Sequence, residues 1–365
     1  MPSRFGRTRP MLAKDLEAAA GLFFRAFARR TKVAHAEFTA YYKEVFLDNP
    51  LYDESNGCLV HEDSAGQIDG SISFLPMRFV VCGDVVTGRL ACAYMSDPDS
   101  PGHGGSLALK VRARNNDFCF SDTAAPVSAD HWRALGGVVL PVQSLDWRQV
   151  FRPMAQAGRR FWNRAPGWSR KALASMVSPG DAMLRRAMGK HRTKPQQGVY
   201  DEDMRAEAFV EAAPHMVARF AVHPEWSREE LAWTVRMAAR KQALGPLGMR
   251  AVVGPGGVTL GCFIYYGAPG MPAAVLNVLS EPGWESAVVA QMLHYFDREG
   301  FTSASGVAQP FLMNAFGRQP GVNFRHRAYF CVSTKRDDVR EAVMRGDFYA
   351  GGLAGEAWSR LTSDF

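Results

Sequence analysis

Hydrophobic positions recur at a helical period near the start of the chain and then change to strand-like runs. A helix after Asp15 is indicated by four apolar residues that share one face: Leu16, Ala20, Phe23 and Phe27. Helical spacing also predicts a helix over residues 35–46, whose aromatics fit either a core face or a ligand-facing wall. Apolar runs divided by turn residues then predict a meander of strands over residues 57–61, 68–82 and 85–95.

A glycine-rich stretch comes after the last of these strands. It reads Asp97-Pro-Asp-Ser-Pro-Gly-His-Gly-Gly-Ser106 and leads into a predicted helix that carries Leu107 and Leu109. Backbone N–H groups at such a turn, together with a helix N-terminus, favour an anion, and glycine lets a phosphate approach the backbone closely. On the local pattern alone an ordinary turn is the commoner outcome, so the phosphate interpretation depends on the elements that the chain forms after the loop.

These later elements come in a recognisable order. They are a strand over residues 117–121, a short helix over 128–135 that ends at Gly136, a strand over 138–142 and a last strand over 144–153. Each is short and is bounded by glycine, proline or aspartate. The resulting order is strand, glycine loop, helix, strand, short helix and strand.

This order resembles the acyl-CoA-binding half of the GNAT N-acyltransferases. In that family the loop reads Arg/Gln-x-x-Gly-x-Gly/Ala, and the segment Pro101-Gly-His-Gly-Gly-Ser106 is similar, with Gly104 and Ser106 at the two small positions. The family's later Tyr-x-x-Leu-Gly-Phe resembles residues 132–137. Pro101 departs from the basic or amide residue, and Trp132 departs from the tyrosine that often acts as general acid.

The second half repeats the order of the first. The pattern predicts helices over residues 206–220, 287–298 and 309–316 and a helix that Ser227 and Glu230 cap; its strands are predicted over 249–253, 258–266, 273–279, 302–306 and 325–333. A turn with the single glycine Gly283 stands where a phosphate loop would be. We therefore expect a mixed-sheet α/β protein with two tandem GNAT-like domains, residues 1–152 and a degenerate 197–365, joined by a linker at 153–196.

Composition is that of an ordinary globular protein. The 365 residues are 47% hydrophobic and 22% charged, with no apolar run long enough for a transmembrane helix and no signal-peptide core at the N-terminus. The six cysteines are far apart and form no CxxC pair, which predicts free thiols rather than a metal site. A soluble, bacterial-type cytoplasmic enzyme without a metal is the expectation.

Positive charge is concentrated in the predicted linker. Between Arg152 and Pro195 there are eleven Lys or Arg and one acid, Asp181, so the rest of the chain sums to −3 of the total +7. Amphipathic helices that merely join two domains would explain this segment. It would also fit a docking surface for an acyl carrier protein or an acidic peptide, or a peripheral membrane contact, whereas no nucleic-acid-binding module is recognisable.

The resemblance also implies candidate site residues. The pyrophosphate of acyl-CoA would bind the loop and the helix start, and the thioester would lie near the end of the preceding strand; the donor-binding residues would be Met95, Gly102, His103, Gly104, Gly105, Ser106 and Leu107. Asp97 and Asp122 are the candidate bases. His131 and Tyr94 are the candidates for an acid or proton shuttle. Each has a plainer explanation as a turn, surface or packing residue.

The implied reaction is transfer of an acyl group from a thioester to an amine of a small molecule or of a peptide Lys or ornithine side chain. Neither the acceptor, the acyl length nor the oligomeric state follows from the sequence. Two alternatives remain open. One is a non-catalytic acyl-CoA- or peptide-binding protein, favoured by Pro101 and Trp132. The other is a thioester decarboxylase or hydrolase on the same scaffold.

Overall fold

The structure, a computed structural model, describes residues 6–27, 35–97, 104–113, 118–156 and 193–365. The chain forms two compact units, each assembled from separate stretches of sequence. Unit 1 takes Met1–Ser144, Ala218–Met237 and Ala328–Phe365, and unit 2 takes Leu145–Val217 and Ala238–Arg327. Both are mixed α/β, as expected. The predicted domain boundaries differ from this division, because each sheet also takes strands from the other half of the sequence.

Unit 1 is built on an eight-stranded sheet. Its strands are β1 (Arg7–Pro10), β2 (Leu59–Glu62), β3 (Ile68–Val81), β4 (Asp84–Ser96), β5 (Phe118–Ala124), β6 (Val138–Leu140), β9 (Val222–Pro224) and β15 (Tyr329–Thr334). The order is β1-β2-β3-β4-β5-β15-β6, and β9 pairs with one end of β3. Every pairing is antiparallel except that of β4 with β5, which is parallel.

Helices cover both faces of this sheet. Those of unit 1 are α1 (Leu16–Phe27), α2 (His35–Phe46), α3 (Gly104–Ala108), α4 (Pro126–Ala134), most of α6 (Arg228–Ala239) and α9 (Asp337–Arg345). On β3, Ser73 hydrogen-bonds Tyr42 of α2, whereas Ile72 and Phe74 pack with Leu107 and Trp132 of α3 and α4. Since neighbouring side chains on a strand point to opposite faces, α2 lies on one face and α3 and α4 lie on the other.

Unit 2 has a seven-stranded sheet in the order β14-β7-β13-β12-β11-β10-β8. Its strands are β7 (Leu145–Val150), β8 (Tyr200–Asp203), β10 (Leu247–Val253), β11 (Thr259–Tyr266), β12 (Pro272–Ser280), β13 (Ser303–Val307) and β14 (Asn323–His326). The helices are α5 (Ala206–Val217), α7 (Glu285–Arg298) and α8 (Met313–Gly317). Only β12 and β13 are parallel among these pairs. The core packs α7 against β10, β11 and β12.

Two strand predictions were wrong about which sheet the residues join. The closing strand predicted over residues 325–333 is in fact two strands: β14 pairs with β7 in unit 2, and β15 pairs with β5 and β6 in unit 1. The strand predicted as the last of the first domain is β7, which belongs to the sheet of unit 2. Local hydrophobicity identifies a strand but not its partner, which is why the sequence missed both exchanges.

Among the described residues, no helix is long and apolar enough to span a membrane. All six cysteines are free; Cys58, Cys119, Cys262 and Cys331 are buried, Cys82 is exposed, and Cys92 is partly buried. This agrees with the expectation of free thiols.

Candidate active site

Strands β4 and β5 separate soon after they begin to pair. Their parallel register covers three residues of β4, from Gly88 to Leu90, opposite Phe118 to Phe120. Immediately beyond, β4 carries a bulge, because Phe74 of β3 faces Ala91 while Ile72 faces Tyr94. A bulge bends its strand and interrupts the ladder. Residues 91–96 and 121–124 therefore continue without pairing to each other, and they form the two sides of an opening in the sheet.

A buried aspartate and a buried glutamate lie on the β5 side of this opening. The Asp122 side chain is 1% exposed, and both of its oxygens lie 3.2 Å from the backbone N–H of Glu356. Glu356, itself buried, accepts a 2.6 Å hydrogen bond through Oε2 from the hydroxyl of Thr123. Buried carboxylates need such donors to offset lost hydration. The arrangement places two buried carboxyl groups beside β5.

A C-terminal segment, residues 348–365, brings Glu356 to this position. Gly351 and Ala354 exchange backbone hydrogen bonds of 2.9 and 3.0 Å, which closes a tight turn, and Gly352 in that turn has φ 62°. Gly355 then lies directly against Asp122, since a Cβ on Gly355 would overlap with Asp122 Oδ2. Only glycine permits this close approach.

The thiol of Cys92, at the bulge of β4, belongs to the same cluster. Burial raises its pKa well above the usual value for a thiol, and the negative charges of Glu356 and Asp122 raise it further. Cys92 is therefore held as a neutral thiol. That state excludes a thiolate nucleophile at this position near neutral pH, so an acyl-cysteine intermediate is not the chemistry that this site favours.

The predicted residues at the end of β4 lie around the opening but differ in burial. Met95 is buried at 1% exposure, and Tyr94 is partly buried against the cluster that contains Leu107 and Trp132. Burial raises the pKa of the Tyr94 phenol, which keeps it protonated and able to donate. Asp97, by contrast, forms a 3.0 Å ion pair with Arg25 of α1, which fits a structural role at the end of the strand.

The remaining candidate acid, His131, is exposed on α4. The neighbouring Trp132, at the family's tyrosine position, is 4% exposed and packs into the core with Leu107. The structure thus places an apolar wall where the family often has an acid.

The loop residues are described in part. Gly102 and His103 lie outside the described residues, while Gly104 and Gly105 begin α3. Ser106 lies with its hydroxyl 3.4 Å from that of Thr8, and Leu107 is fully buried. Leu107 also accounts for the glycine at position 70 of β3, because a Cβ there would lie only 2.8 Å from Leu107 Cδ1.

Sequence reasoning missed half of the carboxylate cluster. Glu356 lies 234 residues from Asp122 along the chain. Cys92 lies in an apolar strand-like run, as other cysteines of this chain do, so its sequence context gave no signal. The one available signal was the glycine-rich stretch Gly351-Gly-Leu-Ala-Gly-Glu356 near the end of the sequence, which predicts close backbone packing but no partner. Within the described ranges, no group of three or more His, Cys, Asp or Glu residues could hold a metal ion.

Solved structures with the same architecture identify the fold. A conserved protein of unknown function from Enterococcus faecalis V583, described as a probable N-acyltransferase, superposes with a TM-score of 0.57 at 11% identity over 89% of this chain and 71% of its own. A GCN5-related N-acetyltransferase from Anabaena variabilis ATCC 29413 gives 0.57 at 9% identity over 89% and 72%. This chain has the acetyltransferase fold.

A third structure agrees. A GCN5-related N-acetyltransferase from Kribbella flavida gives a TM-score of 0.53 at 10% identity, over 89% of this chain and 70% of its own. By sequence, neither a protein-family model nor a curated protein matches the chain. The GNAT resemblance on which the sequence analysis rested is therefore confirmed at the level of the fold.

Proposed function

We propose that unit 1 transfers an acyl group from acyl-CoA to an amine. The observation that carries this proposal is the separation of the parallel strands β4 and β5 after only three paired residues, with two buried carboxylates at the opening. A gap between two strands accepts a linear thioester arm, and its unpaired backbone groups offer hydrogen bonds to the thioester and its amide-rich tail.

The donor would enter along this opening with its pyrophosphate at the glycine-rich loop. The described part of that loop, Gly104 to Leu107, begins α3 and carries no bulky polar side chain. Backbone N–H groups near the β4 bulge would polarise the thioester carbonyl as negative charge develops on its oxygen. No metal is required for this step.

The acceptor's nitrogen attacks the carbonyl carbon, a C–N bond forms, and the C–S bond breaks to release the CoA thiolate. The attacking nitrogen must lose one proton, and the Asp122–Glu356 pair is the acceptor for it, directly or through a water. Tyr94, held in its protonated form by burial, supplies a proton to the leaving sulfur. Asp97 and His131 take no part in this scheme.

The size of the acceptor and the use of a carrier protein as donor stay undetermined. Residues 157–192, which hold most of the basic linker, lie outside the described residues. Docking of an acyl carrier protein, an acidic peptide or a membrane surface there stays a prediction. So does the cytoplasmic location.

The test is thermal unfolding with CoA, acetyl-CoA, octanoyl-CoA and palmitoyl-CoA. A ligand at about 100 times its Kd adds about 2.7 kcal/mol of stability, which gives a clear rise in Tm. The loop variant is Gly104→Glu, and its matched control is Leu109→Glu, which adds the same charge at a residue that is 59% exposed. We expect the shift in the wild type and in the control, and its loss in Gly104→Glu.

Turnover is measured in parallel as free thiol released from the bound thioester, with and without an amine panel. Release that depends on the amine supports acyl transfer. Release without an amine would identify a thioester hydrolase or decarboxylase instead, and a thermal shift without release would identify a non-catalytic binding protein. Absence of any shift with all four ligands would refute the acyl-CoA proposal.

A further inference from the structure

Unit 1 holds a second recess, on the α2 face of its sheet. Its cavity volume is about 30 Å³, it opens to solvent, and it lies among β3, α6, the turn after α2 and the C-terminal segment. Its walls include three indole rings, those of Trp226, Trp233 and Trp358. Trp233 and Trp358 meet edge to face, with ring centroids 5.7 Å apart.

Two polar atoms in these walls lack partners within the described ranges. The indole Nε1 atoms of Trp226 and Trp358 are buried and make no hydrogen bond to any described residue, and Trp358 is 1% exposed. Glu225, by contrast, has a partner within the walls, because its Oε2 forms an ion pair with Arg78 Nε at 3.4 Å. Buried donors and acceptors in folded proteins are nearly always satisfied, so the two indole nitrogens point to a ligand with complementary groups.

The charge balance of the walls is negative. The charged residues that line the recess are Arg78, Glu225 and Glu230. Arg78 forms a 2.9 Å ion pair with Glu230 and, among the described residues of these walls, is the single cation for two carboxylates. One negative charge therefore remains in a recess that is also lined by indole rings, whose π faces attract cations.

We propose that this recess binds an organic ammonium group that has a hydroxyl or carbonyl oxygen nearby. The cation lies against the indole faces and the Glu225 carboxylate. The adjacent oxygen accepts the indole N–H groups of Trp226 and Trp358. The combination of a cation, its aromatic wall and two donors for an oxygen excludes simple metal ions and purely apolar ligands as the preferred occupants.

The recess lies close to the carboxylate cluster along the chain. Trp358 follows Glu356 by two residues, which limits the separation of their Cα atoms to about 7 Å. If the proposed acyl transfer is correct, and only then, the bound cation belongs to the amine acceptor. It is a charge other than the reacting nitrogen, because an attacking amine must be neutral whereas this recess stabilises a positive charge. The acceptor class is then a compound with at least two amino groups.

The experiment uses the full chain without any acyl donor, so that it does not depend on the proposed reaction. Choline is titrated and binding is read from tryptophan fluorescence and calorimetry. Its neutral isostere 3,3-dimethylbutan-1-ol, which has the same shape and hydroxyl, is the ligand control. We expect choline to bind about tenfold more tightly than the isostere, the range that a desolvated cation–π contact provides.

Two variants and a control locate the binding. Glu225→Gln removes the charge, and Trp358→Phe removes one N–H donor while keeping a ring; each should weaken choline binding several-fold. Glu229→Gln, at an exposed position in the first turn of α6 outside the recess, should leave it unchanged. Thermal unfolding of each variant confirms folding, so that a loss in Trp358→Phe can be assigned to the donor.

Equal affinity for choline and its isostere, or equal losses in Glu225→Gln and Glu229→Gln, would overturn the proposal. No saturable binding of choline to the folded wild type would overturn it as well. These results are independent of the acyl-CoA shift, so failure here leaves the proposed transfer standing. If choline binds as expected, putrescine tested as an acceptor in the turnover assay then links the recess to the reaction.

Discussion

The two units share one strand arrangement but differ in the side chains that lie beside it. In each, two strands run parallel and pair briefly, β4 with β5 and β12 with β13, and a bulge follows the last parallel pair. In unit 2 the bulge falls at Leu276, because Ile264 of β11 faces Asn277 while Tyr265 faces Val275. The backbone opening is therefore shared, and the difference lies in the side chains that fill it.

In unit 1 the chain places Asp122, Thr123 and Glu356 at the opening. In unit 2 the chain after β13 turns back through α8 and adds core residues, and Phe316 of α8 stacks on Trp147 of β7 with ring centroids 4.4 Å apart. The turn before α7 has one glycine in the left-handed region, Gly283, where unit 1 has a glycine-rich loop. Under the proposed function, the opening of unit 1 serves chemistry, whereas the corresponding strands of unit 2 adjoin a packed core.

The largest expected effect of this difference is on catalysis. Asp122→Asn should lower kcat for acyl transfer by about 10²- to 10⁴-fold, because the neutral amide cannot take a proton. Asn can still accept the N–H of Glu356, so Tm should change little. The control is Asp130→Asn, at an exposed site whose side chain pairs with Arg133 at 2.8 Å on the same helix. Equal activity in the two variants would contradict the role given to Asp122.

The largest effect on stability should come from unit 2. Trp147 is fully buried, so Trp147→Ala should cost about 3–5 kcal/mol of unfolding free energy through lost burial and a cavity. Urea unfolding measures this. Below the transition, the acyl-CoA affinity of the folded protein should be unchanged. A large loss of acyl-CoA affinity in protein shown to be folded would mean that unit 2 takes part in donor binding.

Features that depend on residues close together in the sequence could be predicted, whereas features that depend on contacts between distant residues could not. The helix predicted over residues 35–46 is confirmed as His35–Phe46, because its period and its end before Asn49 and Pro50 are local. The order of strand, helix and strand around the glycine loop was predicted by resemblance to a known family, and β4, α3 and β5 follow that order, although their parallel pairing was not predicted. Both are properties of one contiguous stretch.

The carboxylate pair could not be predicted in this way. It depends on contact between β5 and Glu356, which no periodicity encodes, and the fate of residues 325–333 depends on which sheet edge is available. Asp122 was a candidate because it follows a predicted strand at the expected cleft, and its role as the base stays a prediction; Asp97, an equally reasonable choice, is paired with Arg25. Chemistry assembled from distant segments needs the fold before it can be identified.

Close backbone packing at the opening should produce a smaller but specific effect. Gly355→Ala forces a Cβ into the space occupied by Asp122 Oδ2, and it should cost about 1–3 kcal/mol and reduce kcat more than KM. Gly317→Ala in unit 2 meets nothing within 4 Å and should be neutral or slightly stabilising. Thermal unfolding and steady-state kinetics test both. Unchanged activity in Gly355→Ala would show that the segment's position against Asp122 is unimportant.

The smallest effect concerns the thiols. Burial raises the pKa of Cys58, Cys262 and Cys331 to about 12 and that of Cys92 higher than usual, so these groups remain thiols at pH 8. Iodoacetamide, which needs the thiolate, should therefore label exposed Cys82 and leave Cys92 unmodified, as peptide mass spectrometry can show. Because two carboxylates help to hold Cys92 protonated, the double variant Asp122→Asn, Glu356→Gln should label faster at Cys92 than the wild type, while Cys262 in unit 2 keeps its rate. Labelling of Cys92 at the Cys82 rate in the wild type would contradict the negatively charged, enclosed environment that distinguishes the opening of unit 1 from that of unit 2.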